Sequence, residues 1–191
     1  MSIYIGDSTL TPTTYTATGG SLGISGNLTV DSNVKISAQP AFNASGTVGS
    51  WIYGTSFGGP GWVEINSTVG WTSSQQGAGS YGFSNSTGRY TAPVAGRYFF
   101  HASAYYYNDA NSTANYIHFL FGVNGSPSWN VGDTPYNIYS HGEVAGYSDG
   151  INVSAVISLG VGDYVSMRPY WAGTQGRIIG SYTLFCGHLI A

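Results

Sequence analysis

Asn85-Ser-Thr-Gly88-Arg-Tyr90-Thr-Ala-Pro93-Val-Ala-Gly96-Arg-Tyr98-Phe-Phe100-His-Ala-Ser-Ala-Tyr-Tyr-Tyr107 combines two turns with a long run of strand-forming residues, and its reading decides the fold. Asn85 to Gly88 is a polar turn that closes on a glycine, and Pro93 to Gly96 is a second turn whose proline cannot donate to a sheet ladder. A short strand around Tyr90 lies between them, and Gly96 is expected to close the second turn at positive φ. Strand side chains alternate faces, so Tyr98, Phe100, Ala102 and Ala104 share one face, and Phe99, His101, Ser103 and Tyr105 the other. A helix would space its aromatics by three and four; here they fill nearly every position, and the strand reading wins.

Asn85, Gly88, Tyr90, Pro93, Gly96, Tyr98 and Phe100 together resemble the signature of the complement first-component globular head, a member of the tumour-necrosis-factor-like jelly rolls. Leu159-Gly-Val-Gly162-Asp163-Tyr-Val resembles that family's late hairpin, Phe185-Cys-Gly187-His-Leu189 its closing strand, and Pro40-Ala-Phe42 its first strand. The resemblance covers residues 39–191 in order. It implies an all-β jelly-roll sandwich of ten strands that assembles as a tight homotrimer. The chain departs from the family in lacking a Gly-X-Y stalk, a secretion signal and the usual density of charge.

A chain of 191 residues accommodates one sandwich and an extension. Charged residues are 7% of the sequence against a norm of about 25%, so solubility rests on neutral polar groups. With five Lys and Arg in total and a net charge of −3, there is no basic stripe for phosphates, and nucleic acid is not an expected partner. No apolar run approaches the ~18 residues of a membrane span, and the N-terminus has neither the basic start nor the apolar core of a signal peptide. Neither membrane insertion nor export is expected. The single cysteine, Cys186, falls in the closing strand and reads as a small buried residue.

Residues 1–38 read as an attachment arm and short neck. Ile3 and Ile5 lie in a Thr-rich stretch, followed by three two-step alternations, Leu22-x-Ile24, Leu28-x-Val30 and Val34-x-Ile36. Such short apolar faces need cover from sister chains or a docking surface. The pattern resembles the attachment segments of phage fibre and decoration proteins. Within the head, 72–80 reads as a loop and 115–123 as one strand ending in the hairpin dipeptide Asn124-Gly125, with Tyr116 and Leu120 on its second face. Val153, Ala155, Ile157 and Leu159 alternate inward with Asn152, Ser154 and Ser158 outward. Because a two-layer sandwich buries one face of each sheet, apolar residues on second faces imply a partner, and Phe99, His101, Tyr105, Tyr116, His118 and Leu120 are the candidate trimer contacts.

No catalytic chemistry is legible. No nucleophile elbow marks any serine, the eight Asp and Glu form no suggestive pair, and the four histidines lack ligand spacing. We expect no cofactor and no bound metal. The five tryptophans offer sugar-stacking platforms where exposed. The expected role is a non-enzymatic virion protein of a tailed phage, made in the host cytoplasm. It would be a capsid decoration (cement) or head-fibre protein held to the major capsid protein by its arm. The alternatives are a tail-fibre or baseplate adhesin binding host surface glycans, and a cellular lectin-like module.

Overall fold

The computed structural model describes residues 39–58, 61–76, 82–108, 117–127, 139–141, 148–171 and 176–190. The arm residues Ile3, Ile5, Leu22, Ile24, Leu28, Val30, Val34 and Ile36, the boundary at 38/39 and Tyr116 lie outside them.

Among the described residues, fifteen strands follow in chain order: β1 (Ala41–Gly46), β2 (Trp51–Tyr53), β3 (Gly61–Trp62), β4 (Trp71–Gln76), β5 (Gly82–Ser84), β6 (Arg89–Thr91), β7 (Gly96–Asn108), β8 (Ile117–Phe119), β9 (Phe121–Val123), β10 (Ser126–Pro127), β11 (Tyr139–His141), β12 (Ser148–Leu159), β13 (Tyr164–Met167), β14 (Tyr170–Trp171) and β15 (Gly176–Leu189). One sheet has the order β12-β7-β15-β1-β4, with β2 also on β15. The other layer is β10-β9-β13-β6-β5, continued by β11-β8-β14-β3. The count exceeds the ten implied by the family because strands are broken. β8 and β9 part at Leu120, β13 and β14 at Arg168 and Pro169, and the breaks are bridged by Arg168 N–H donating to Leu120 O at 2.8 Å and Val63 N–H to Pro169 O at 3.0 Å.

The quoted stretch folds as the alternation demands. Tyr98, Phe100, Ala102, Ala104 and Tyr106 of β7 are buried between the layers, whereas Phe99, His101, Ser103, Tyr105 and Tyr107 point to the outside and are half-buried. Phe42 of β1 joins the layers, stacked on Tyr90 of β6 at 4.6 Å and on Phe83 of β5 at 5.1 Å, and edge-on to Phe185 of β15 at 4.9 Å. Phe185 in turn packs on Phe100 and Phe121. Offset and edge-to-face aromatic pairs of this kind add to the area they remove from water.

Four expectations need correction. Residues 72–76 belong to strand β4 rather than to a loop, because β1 supplies the ladder for their backbone. The 115–123 segment is not one strand: Leu120 sits outside the ladders and is fully buried, so it cannot present itself to a sister chain. Gly96 is the first residue of β7, paired with Leu159, and is not among the glycines at positive φ. The turn is held instead by Tyr98, whose hydroxyl donates to the Val94 carbonyl at 2.7 Å. Cys186 is only half-buried, on the outer face beside His101. The expected hairpin at Asn124-Gly125 is present, with φ of 51° and 81°, the two left-handed residues that a tight two-residue turn requires.

Candidate functional site

The outer face of the six-stranded sheet carries rows of half-buried aromatic and polar side chains. Residues opposite one another on antiparallel strands share a face, so the register places side chains in rows. One end holds Phe99 with Val156 and His188 as its neighbours. The Phe99 and His188 rings lie 5.5 Å apart, and Ile190 just beyond is half exposed. Next comes His101, whose Nδ1 lies 2.8 Å from Ser154 Oγ. The middle is polar apart from Leu184, with Ser103 and Asn152, then Asn43, Ser45, Thr72 and Ser74 toward the β4 edge.

The far end is aromatic. Arg177 lies over Tyr107 at 4.6 Å, Trp51 at 5.0 Å and Tyr53 at 5.4 Å, and donates to the Tyr53 hydroxyl at 2.9 Å. Three strands supply this cage, since Arg177 of β15 is opposite Tyr53 on β2 and Tyr107 on β7. Trp51 also packs on Tyr105 at 6.0 Å. A guanidinium held on several rings is fixed and partly desolvated.

Of the candidate contacts, the fold brings Phe99, His101 and Tyr105 to this one face and places His118 and Leu120 elsewhere. His118 belongs to the other layer, 5.9 Å from the Tyr170 ring, where burial lowers its pKa. Of the signature residues, Tyr90, Tyr98, Phe100 and Phe185 are core, and Gly88, at φ 71°, comes so close to Ile65 and Trp71 that a Cβ would sit 2.3 Å from the Ile65 carbonyl oxygen. Trp71 and Trp171 are buried, Trp51 and Trp62 half-buried.

Sequence reasoning missed the charge cluster on the second layer. Glu64 takes Arg89 in a fork, Nε to Oε1 at 2.7 Å and Nη2 to Oε2 at 2.8 Å, and Arg168 Nη1 at 3.3 Å. Burial alone would raise the Glu64 pKa, but the Arg89 hydrogen bonds and the two positive charges outweigh it and hold the carboxyl below its usual range. Among the described residues, no group of His, Cys, Asp or Glu is arranged to hold a metal ion, and no helix is long and apolar enough to cross a membrane.

A scan against protein-family models finds no match, and a search of curated proteins finds none. The chain is similar in structure to the tumour-necrosis-factor protein Eiger of S. frugiperda, at a TM-score of 0.51 and 12% identity over 81% of this chain and 94% of that one. The globular domain of zebrafish complement 1qA matches at 22% identity and TM-score 0.44 over 80% and 98%. Murine APRIL matches at 8% identity and TM-score 0.48 over 80% and 99%. The likeness to Eiger, with the strand order above, shows an all-β jelly-roll fold.

Proposed function

We propose that this chain is a non-enzymatic homotrimeric module whose subunits meet through the Phe99 end of the outer sheet face. Carrying this reading is the row of Phe99, Val156, His188 and Ile190, apolar or aromatic side chains left partly open on a sheet whose other face already fills the core. A surface this low in charge presents little desolvation cost to a like surface, and a threefold arrangement closes without leaving an unpaired copy. The finer reading is a virion protein of a tailed phage, a capsid decoration or head-fibre protein gripped by residues 1–38. It rests on the sequence: the alternating arm and the low charge.

Light scattering on the soluble protein tests the assembly. The expected mass is three times 20.1 kDa, about 60 kDa, and Phe99→Asp should lower it to that of one chain while keeping the β-sheet circular dichroism. A stable wild-type monomer would rule the assembly out. Deleting residues 1–20 tests the arm: the truncated trimer should fail to rebind particles stripped of the protein. Rebinding at full occupancy would move attachment to the head.

A further inference from the structure

The outer sheet face is interrupted where a cavity of about 600 Å³ opens between Tyr105, Tyr182, Ser103 and Asn152, beside Gly150 and Ile151. The interruption is built in. β15 steps from Ile179, opposite Tyr105, to Leu184, opposite Ser103, and residues 180–183 leave the register. That bulge is held from behind. Ser181 N–H donates to Val48 O at 2.8 Å, the Thr183 hydroxyl donates to Ile179 O at 3.1 Å, and a Cβ on Gly180 would sit 2.9 Å from the carbonyl oxygens of both Val48 and Val69. Bulges of this kind re-aim a side chain. Here it is Tyr182, 63% exposed, standing edge-on to Tyr105 at 5.9 Å and 71°. Tyr105 is itself fixed, since its hydroxyl donates to Ser148 Oγ at 2.9 Å.

The lining states what would fit. Two rings at a steep angle offer an apolar wall and a platform, while the Ser103 hydroxyl and the Asn152 carboxamide, donor and acceptor in one group, stand beside them. Among the described residues no charged side chain lines the cavity, and Arg177, at this end of the face, is engaged by Trp51, Tyr53 and Tyr107. A charged ligand would find no counterion, and a wholly apolar one would strand the amide. An uncharged pyranose has one C–H face for a tyrosine ring and a rim of hydroxyls for the amide. The size is that of ordinary small-molecule sites. We infer that this cleft binds a neutral saccharide, stacked on Tyr182 and hydrogen-bonded to Asn152 and Ser103. A longer glycan has a path over Trp51, 6.0 Å from Tyr105, and Tyr107, 5.3 Å from Trp51. The inference stands apart from the assembly, whose proposed contact is six residues along β7, roughly 20 Å away.

Saturation-transfer NMR and calorimetry on the full chain with maltotriose, cellotriose, lactose and mannotriose test it. At least one should bind, with a dissociation constant on the order of a millimolar, and Tyr182→Ala and Asn152→Ala should each weaken it about tenfold or more. Tyr182→Phe, which keeps the ring, should retain binding and guards against a folding artefact. The inference is overturned if no sugar of the panel binds, or if binding is unchanged in Tyr182→Ala. It is also overturned if Tyr182→Ala instead splits the assembly measured by light scattering, since the cleft would then be a subunit contact.

Discussion

Asn124 and Asp163 clasp each other across 39 positions of sequence, the carboxamide Nδ2 donating to the carboxylate Oδ1 at 2.8 Å. Asn124 sits at φ 51° in the tight hairpin between β9 and β10. Its Oδ1 accepts the Tyr164 N–H at 3.0 Å, and its own N–H donates to the Tyr164 carbonyl at 3.0 Å. The other oxygen of Asp163 accepts the Gly160 N–H at 2.7 Å and so closes the turn between β12 and β13. Two hairpins are thereby locked by side chains whose types suit turns anyway.

Hydrogen bonds from Asn124 and Gly160 hold the Asp163 carboxyl below its usual value of 3.8, which ties stability to acid. A depressed carboxylate favours the folded state above its unfolded pKa, and that contribution is lost as pH falls through the lower folded value. Melting temperature should therefore drop as pH is taken below about 4, and Asp163→Asn should shrink that drop while lowering stability at neutral pH. A variant with the wild-type pH profile would mean that the clasp carries no charge-dependent stability.

Glycines separate packing from backbone strain. A Cβ on Gly187 would lie 2.6 Å from Phe100 Cδ1 and 2.8 Å from the Phe99 carbonyl oxygen, so β15 passes under the Phe100 ring only because position 187 has no side chain. Gly187→Ala should cost about 1–3 kcal/mol by overpacking, and Gly88→Ala, at φ 71° against the Ile65 carbonyl, at least as much. Gly96→Ala should cost less, since its backbone is not left-handed. Chemical denaturation of the three variants checks the order.

The Glu64 cluster yields a different signature. Glu64→Gln leaves Arg168, whose side chain is 15% exposed, with an uncompensated charge, and should cost about 1–3 kcal/mol. The loss should be greatest at neutral pH and fade in acid, where protonation of Glu64 removes the same charge from the wild type. Equal losses at pH 7 and pH 3 would show that packing, not charge, is what the substitution disturbs.

How far the sequence was legible follows from the range of each signal. The alternation over 97–107 is local and survives folding unchanged, so Tyr98 and Phe100 were placed in the core and Phe99 and Tyr105 outside it. Asn124-Gly125 was legible because positive φ at two successive residues demands that dipeptide. Strand β4 was not, since Thr72, Ser73 and Ser74 look like a loop until β1 supplies their ladder. Nor was the break at Leu120, because a leucine fits a continuous strand as well as a kink. Arg168 and Glu64 are 104 residues apart, and the Tyr182 bulge depends on carbonyls of Val48 and Val69. No local pattern announces either.

Arg177 offers a test of how the aromatic end of the outer face is held. Its guanidinium spans Trp51, Tyr53 and Tyr107, rings from two strands that flank β15, and its Nη1 donates to the Tyr53 hydroxyl. Cation–π contacts at partly exposed sites contribute about 0.5–1 kcal/mol each, and a planar guanidinium can lie flat on rings where an ammonium cannot. Arg177→Ala should therefore destabilise the protein by about 1–2 kcal/mol and shift the Trp51 contribution to the fluorescence, because the indole loses its charged cover. Arg177→Lys should recover only part of the stability. Full recovery by lysine would show that charge alone matters at this position, and that the flat stacking of the guanidinium does not order β2 against β7.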